Sequence, residues 1–289
     1  MDVSLGIFTY NEENVIGRVV ESAINQKTNR IKIKEIIVVS SACKDNTNNI
    51  IKGLMKKDSR VKLIEQKERK GKASAINLFL KEAAGNLIAI QSGDVILSEN
   101  AIENLCVPML DDPKIGFTGS NPIPQNDKET FLGHHIHLHW WLSNNLPRYG
   151  EVVGFRNFVK EIDERTAVDE AYIEMLIKSK GYIMAHVPTA VVYNRGPDNF
   201  KDLMKQRRRI YVGHTLLKKE DKYSVESFKA FKMIKLMSQY WLREKSIKKL
   251  FWILCSISLE VYGRLLGMYD LYILKKNPYI WDIAKSTKV

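Results

Sequence analysis

An open α/β sheet, mostly parallel and covered by helices on both faces, is the fold class that this sequence predicts. Three observations carry it. Short apolar runs alternate with helical patterns through the first third of the chain. The runs are near-continuously apolar, as in Ile36-Ile37-Val38-Val39-Ser40 and Leu87-Ile88-Ala89-Ile90-Gln91, which is how strands buried on both faces read. Each run ends in small or polar residues leading toward a helix, the arrangement of βαβ units.

Taken in order, 3–10 reads as a strand, 14–26 as a helix, 35–41 as a strand, 46–57 as a helix, 61–66 as a strand, 72–84 as a helix and 87–92 as a strand. The pattern then changes. Segments 115–124 and 151–157 read as strands around a helical stretch 128–145, followed by a helix at 169–180, a strand pair over 182–194 broken at Pro188, and a basic helix at 199–217. Val225, Phe228, Phe231, Ile234, Met237, Tyr240 and Trp241 recur at helical spacing, with Lys229, Lys232, Lys235 and Arg243 on other faces. That is a cationic amphipathic helix. The expected organisation is an α/β domain over 1–217 and a basic, helical, membrane-associating region over 218–289.

Composition narrows the partners. Of 289 residues, 45% are hydrophobic and 27% charged, too apolar for a disordered chain, and the formal net charge is +12. The charge is not spread evenly. Residues 1–194 hold 24 basic and 24 acidic side chains, whereas 195–250 hold 16 basic against 6 acidic. One basic segment following a neutral body is unlike a general nucleic-acid packager, and no nucleic-acid recognition motif accompanies it. An anionic membrane surface is the expected partner of that segment.

The three cysteines, Cys43, Cys106 and Cys255, are scattered and contain no CxxC pair. This disfavours a disulfide framework or a cysteine zinc site and suits a reducing compartment. With an acid at Asp2 and no long apolar run, the N-terminus does not read as a signal peptide. Residues 250–274 are the membrane-like stretch, but Glu260, Arg264 and Asp270 interrupt them, and the longest charge-free run, 250–259, is ten residues long. Spanning takes ~20 predominantly apolar residues, so a helix lying in the interface is the expectation.

In parallel sheets ligands sit beyond the carboxyl ends of the strands. Thr9-Tyr10-Asn11-Glu12-Glu13 ends the first strand and Ser40-Ser41-Ala42-Cys43-Lys44-Asp45 the second; both also serve as helix starts. Arg69-Lys70-Gly71-Lys72 places a glycine among cations at a helix N-terminus, suited to phosphate because backbone N–H groups and side chains point the same way. Gln91-Ser92-Gly93-Asp94 puts one carboxylate at a buried strand's end, suited to a hard divalent cation that also binds substrate phosphates. His135 and His139 stand at i, i+4 on one helix face, a zinc-compatible spacing that lacks the glutamate of HExxH.

The ordered set TYNEE, VVSSACKDNT, KGKASAIN, SGD, VDE and QRRRI, spread over 3–214, resembles glycosyltransferase family 2, the inverting nucleotide-sugar enzymes of GT-A fold. The resemblance implies that Thr9, Glu12, Ser41, Gly71, Lys72, Ser92 and Gln206 hold the nucleotide-sugar, with a UDP-sugar as the expected donor. Asp94 matches the second acid of the family's metal motif, with Ser92 where the first acid stands, and Mg²⁺ or Mn²⁺ is the implied cofactor. Asp169 is the implied catalytic base, with Glu170 as its alternative, and Arg209 secures the phosphate region. Pro147, Gly150, Glu151, Phe155 and Arg156 fit a pattern of membrane-associated members, making Arg156, His135 and His139 candidate acceptor contacts.

The activity so implied is hexosyl or N-acetylhexosaminyl transfer to a lipid-linked or polysaccharide acceptor at the cytosolic face of a membrane. An oligomer through the C-terminal helices is compatible with it. Ser92 in the metal motif, and Ile210 where the family has tryptophan, leave open a nucleotide-binding module of the same fold without turnover.

Overall fold

The structure is a computed structural model that describes residues 1–146, 149–223, 230–281 and 286. Pro147, Val225, Phe228 and Lys229 lie outside the described residues. The first half follows the expected alternation: β1 (Asp2–Thr9), α1 (Ile16–Ile24), β2 (Lys32–Ser41), α2 (Thr47–Met55), β3 (Val61–Gln66), α3 (Lys72–Glu82) and β4 (Leu87–Ser92). A two-residue strand β5 (Ile96–Leu97) and a helix α4 (Ala101–Asp111) come next. β1 pairs in parallel with both β2 and β4, and β2 with β3.

Alternate residues of these strands feed two cores. Val3, Leu5, Ile7, Ile36 and Val38 pack under α1, α2 and α4, while Phe8, Ile37, Val39, Ile88 and Ile90 pack with Phe79 of α3. Burial on both faces is the physical reason these strands lack an apolar–polar alternation.

The second half departs from a purely parallel sheet. It comprises β6 (Ile115–Pro124), α5 (Phe131–Asn145), β7 (Val152–Arg156), α6 (Asp169–Ser179), β8 (Ile183–Asn194) and α7 (Phe200–Glu220). β7 inserts antiparallel between β4 and β6, giving the order β3-β2-β1-β4-β7-β6-β8-β5. The expected strand pair at 182–194 is instead one strand, β8. Its register against β6 jumps from Gly119–His186 to Asn121–Val191, and the Asn121 side chain donates to the Pro188 carbonyl at 2.9 Å. The proline thus bends the strand without ending it.

Two further helices complete the described chain: α8 (Ala230–Glu244) and α9 (Ile247–Met268), the latter continuing into a π-helical turn, Tyr269–Ile273. Ile247–Ile273 is long and apolar enough to cross a membrane by length and composition. α9 lies against α7 at two glycines. A Cβ on Gly263 would come within 2.8 Å of Arg207 Cβ, and one on Gly267 within 2.8 Å of the Tyr211 ring. Small residues here let two helix backbones approach closely.

Helix α5 is the hub of this half. Thr130 caps it, accepting from Gly133 N–H at 3.1 Å. Leu138, Leu142 and Leu146 pack with Leu236, Tyr240 and Ile253 from α8 and α9. His134 is fully buried, edge-on to the rings of Tyr240 and Trp252 at 5.4 Å each. Burial pushes its pKa down to about 4, with Glu244 opposing and Lys249, Lys128 and His137 adding to the shift.

Unfolded, this imidazole titrates near its ordinary value of 6.5. The folded chain therefore binds fewer protons between these values, and the stabilisation, full above about pH 6.5, drains away as pH falls toward 4, by ~1.4 kcal/mol per unit. The expected outcome is a melting temperature that drops between pH 7 and pH 4.5, with His134→Phe making the drop shallower; thermal scans across pH check it.

Candidate active site

The carboxyl ends of β1, β2 and β4 open into a cleft of about 1910 Å³, lined among others by Thr9, Glu12, Ser41, Ser92 and Asp94. Ser41 Oγ donates to Gln66 Oε1 at 2.7 Å, which fixes the wall beneath β2 and β3. The N-terminus of α3 adds Gly71 and Lys72. Gly71 has φ 96°, a left-handed conformation that favours glycine.

Lys72 does not project into open solvent. Its Nζ lies 2.7 Å from Asp169 Oδ2 and 2.8 Å from Glu170 Oε1 at the start of α6. Burial opposes the lysine's charge, but the two carboxylates outweigh it and hold its pKa above the ordinary value. The carboxylates respond in opposite directions. Burial and the neighbouring Glu170 raise Asp169, whereas for Glu170 burial is overcome by Lys72, which lowers it.

Position separates the two acids further. Glu170 lines the cleft, with its side chain 20% exposed, while Asp169 sits behind it at 2%. A base must be ionised and reach the substrate. Glu170 is thus the more accessible of the two acids, while Asp169, the base first expected, is buried against Lys72.

Across the cleft, Glu151 begins β7's approach with φ 63°, the left-handed region for a residue with a side chain. Burial, then repulsion from Asp94 and Glu170, raises its carboxyl to about 7, and Asn194 Nδ2 donates to Glu151 Oε1 at 3.0 Å. Asn194 itself is buried, and its Oδ1 has no hydrogen-bond partner. Among the described residues no group of three His, Cys, Asp or Glu side chains stands ready as a metal site. Even so, Asp94, Glu151 and the unmatched Asn194 oxygen are the donors that a hard divalent cation takes, and mutually repelling acids are what it would relieve. The residues fit Mg²⁺ or Mn²⁺ in a site completed by a ligand's oxygens.

The three adjacent arginines of α7 part company. Arg209 enters the cleft: its Nη1 donates to the Ala167 carbonyl at 3.3 Å and burial lowers its pKa to about 10. Arg207 pairs with Glu260 of α9 at 3.2 Å, and Arg208 Nε with Asp270 Oδ2 at 2.6 Å. Arg207 and Arg208 are thus spent on ion pairs with the C-terminal segment. Gln206 lines the cleft and accepts from Arg207 Nη2 at 3.0 Å. His135 and His139 line it as well, His139 Nδ1 being 3.3 Å from Arg207 Nη1.

Arg156 is a correction. Its guanidinium donates to the carbonyls of Ile115 at 2.9 Å and Met109 at 2.6 Å, away from the cleft. It ties α4 to β6 and is not available to an acceptor.

One component had no counterpart in the sequence reading. The chain after the π turn folds back over the site: Trp281 covers Arg209, ring centroid to guanidinium carbon 3.4 Å, and its carbonyl accepts from Arg69 Nη2. A Cβ on Gly71 would meet the Tyr279 carbonyl at 2.9 Å, and Asn277 Nδ2 donates to the Arg165 carbonyl at 3.0 Å. No local spacing announces such a tertiary return; an aromatic cluster, Tyr279-Ile280-Trp281, beside lysines was the available signal.

With this geometry in place, the comparisons with known proteins decide the family. A sequence model of glycosyl transferase family 2 matches residues 4–164. The chain belongs to that family. Relatives include the poly-β-1,6-N-acetyl-D-glucosamine synthase of Staphylococcus aureus, 25% identical over 245 residues covering 79% of this chain and 58% of the relative. Another is a probable glycosyltransferase of Bacillus subtilis, YdaM, 23% identical over 227 residues, covering 72% and 54%. The chain spans little more than half the length of these relatives.

Solved structures with the same GT-A fold include a mannosyltransferase from Pyrobaculum calidifontis, in complex with GDP-Man and Mn²⁺. It has a TM-score of 0.62 at 19% identity, covering 96% of this chain and 81% of that one. Glucosyl-3-phosphoglycerate synthase from Mycobacterium tuberculosis, with Mn²⁺, UDP and phosphoglyceric acid, has a TM-score of 0.51 at 17% identity, covering 74% and 77%.

Removing the cation between two buried carboxylates leaves them uncompensated. Lys72→Met is expected to cost ~3–5 kcal/mol of stability, with Asp169→Asn in the same chain recovering part of it; urea denaturation measures both.

Proposed function

We propose that the protein is an inverting glycosyltransferase that moves a hexosyl or N-acetylhexosaminyl unit from a nucleoside-diphosphate sugar, a UDP-sugar in our reading, to a lipid-linked or polysaccharide acceptor. The observation that carries this is Glu170: ionised against Lys72, lining the cleft and facing a second acidic group around Asp94. Glu170 takes the proton of the acceptor hydroxyl as that oxygen attacks the anomeric carbon, the bond from that carbon to the diphosphate oxygen breaks, the nucleoside diphosphate leaves, and this single displacement inverts the configuration.

The other side chains position the donor. Thr9, Glu12, Ser41 and Ser92 line the nucleotide end and Gly71 allows close approach of a phosphate at the N-terminus of α3. Arg209 sets a buried positive charge beside the diphosphate. Asp94 and Glu151, with Asn194, would hold Mg²⁺ or Mn²⁺, which supplies further positive charge against the leaving diphosphate when bound. The synthase activity of a relative and the Mn²⁺ in two solved neighbours support this reading.

The place of action is, in our reading, the cytosolic face of a membrane. Phe251, Leu254, Leu265 and Met268 are exposed along α9, at spacings of three and eleven that keep them near one side. Such an apolar stripe, beside the basic 195–250 segment, suits an anionic lipid surface.

Purified protein with a panel of nucleotide sugars and Mn²⁺ is expected to release nucleoside diphosphate or form product, and Glu170→Gln to lower turnover ~10²–10⁴-fold. Asp94→Ala is expected to weaken the metal requirement's half-saturation by at least tenfold. Should both variants keep wild-type turnover, the reading fails; tight nucleotide binding with no turnover on any sugar would instead indicate a binding module.

Because the Trp281 ring covers the Arg209 guanidinium, nucleotide binding has to repack it. UDP is expected to change the tryptophan fluorescence of the protein, and Trp281→Phe to remove most of that change although four other tryptophans remain.

A further inference from the structure

We propose that the wall of the cleft formed by α5, α7 and α9 is a binding subsite for a sugar ring of the acceptor glycan, separate from the donor pocket. The inference rests on the glycosyltransferase reading and narrows its acceptor to carbohydrate hydroxyls over a lipid phosphate. The first argument is room. A cleft of about 1910 Å³ runs unbroken from Asp94 and Glu170 to Ser256 and Glu260, roughly twice the upper end of ordinary small-ligand pockets.

The second argument is unmatched polarity. His135 of α5 is 2% exposed and Ser256 of α9 is 3% exposed, both line the cleft, and neither the two ring nitrogens nor the Ser256 Oγ has a hydrogen-bond partner. Arg207 Nε, from α7 between them, is likewise buried without one. Each such atom costs ~1–3 kcal/mol when left unpaired, and buried polar groups are almost always satisfied. Three helices distant in sequence bring these atoms to one wall of a cavity, where a ligand's hydroxyls would satisfy them.

The third argument is charge, and it selects the ligand. Arg207 is already neutralised by Glu260 at 3.2 Å, and Glu260 Oε1 also lies 3.5 Å from His135 Nε2. Burial, and then Arg207, lower the His135 pKa to about 4, so the ring is neutral at neutral pH and offers one donor and one acceptor. A phosphate group wants uncompensated cations, and the guanidinium that faces His135, that of Arg207, is already paired with Glu260. The wall has a mixture of neutral donors and acceptors, which is what hydroxyls pair with, beside the apolar rings of Trp140 and Tyr149 for the C–H face of a pyranose.

The test measures binding directly. Isothermal titration of the UDP-loaded protein with N-acetylglucosamine, glucose and mannose trisaccharides is compared among wild type, Ser256→Ala and His135→Leu, with polyprenyl phosphate in detergent micelles as the competing probe. The expected result is that at least one trisaccharide binds wild type. Its affinity falls about fivefold in Ser256→Ala and tenfold or more in His135→Leu, while UDP affinity stays within twofold. Ser256→Ala removes a single unpaired hydroxyl and so remains informative if His135→Leu loosens the packing of α5.

The inference is overturned if no trisaccharide binds, if the variants bind it as wild type does, or if polyprenyl phosphate binding is what the variants lose. Failure of the glycosyltransferase reading shows separately, as wild-type protein that turns over no nucleotide sugar.

Discussion

The site depends on one buried cation. Lys72, at the first turn of α3, holds Asp169 and Glu170, which lie 97 and 98 positions later at the first turn of α6. Two helix N-termini on one face of the sheet are thereby brought within an ion pair's reach. Each helix's dipole favours negative charge at that end, so the acids suit their own helix, and the lysine offsets the repulsion between them. Without it, two adjacent buried carboxylates could not both remain ionised. With it, Glu170 is kept below its ordinary pKa although burial alone would raise it. The same contact that closes the fold between its two halves sets the protonation state that the proposed chemistry needs.

The opposite wall has the reverse balance. Glu151 is raised to about 7 by burial and by the acids around it, and no cation sits in its immediate hydrogen-bonded surroundings, where Asn194 is the donor. The cleft therefore has one acidic pair in direct contact with Lys72 and, opposite, a Glu151 whose carboxyl is pushed up by burial and Asp94 more strongly than Lys72 pulls it down. A diphosphate alone would worsen the second, and a divalent ion with its diphosphate would relieve it. This asymmetry explains why Ser92, in place of a further acid, is tolerable: adding another carboxylate beside Asp94 and Glu151 would raise the repulsion already there.

Much of this was legible in the sequence because it is local. Continuous apolar runs and helix-start chemistry give β1 to β4 with boundaries off by at most three residues, the largest error being the start of β2, and the polar strand ends give Thr9, Ser41, Ser92 and Asp94 as cleft residues. What depends on long-range pairing was not legible. The antiparallel insertion of β7 is a choice of neighbours that its apolar residues do not encode, and with it comes the left-handed Glu151. Arg156 reads as a free cation until β7 places it under Ile115 and Met109, whose carbonyls it serves. The choice between Asp169 and Glu170 is a matter of side-chain direction, invisible in an adjacent pair. Trp281 joins residues more than 70 positions away, beyond any periodicity.

The basic segment shows how structure redistributes a charge argument. Glu260, Arg264 and Asp270 interrupt the apolar run of α9, and as sequence they weigh against burial in a hydrocarbon layer. Two of the three point back into the protein. Glu260 meets Arg207, and Asp270 meets Arg208, so two arginines of the +10 excess cancel against one acid of α9 and one of the π turn that follows it. The close approach at Gly263 and Gly267 is what lets these pairs form. What α9 turns outward is consequently more apolar than its sequence suggests, with Phe251, Leu254 and Leu265 each more than half exposed. The arginine run then divides its partners over three consecutive residues: Arg207 and Arg208 pair with the acids of the C-terminal segment, and Arg209 donates to the Ala167 carbonyl beside Lys72's acids. A helix seated by ion pairs on the motif that also lines the active site ties the outer apolar stripe rigidly to the catalytic geometry.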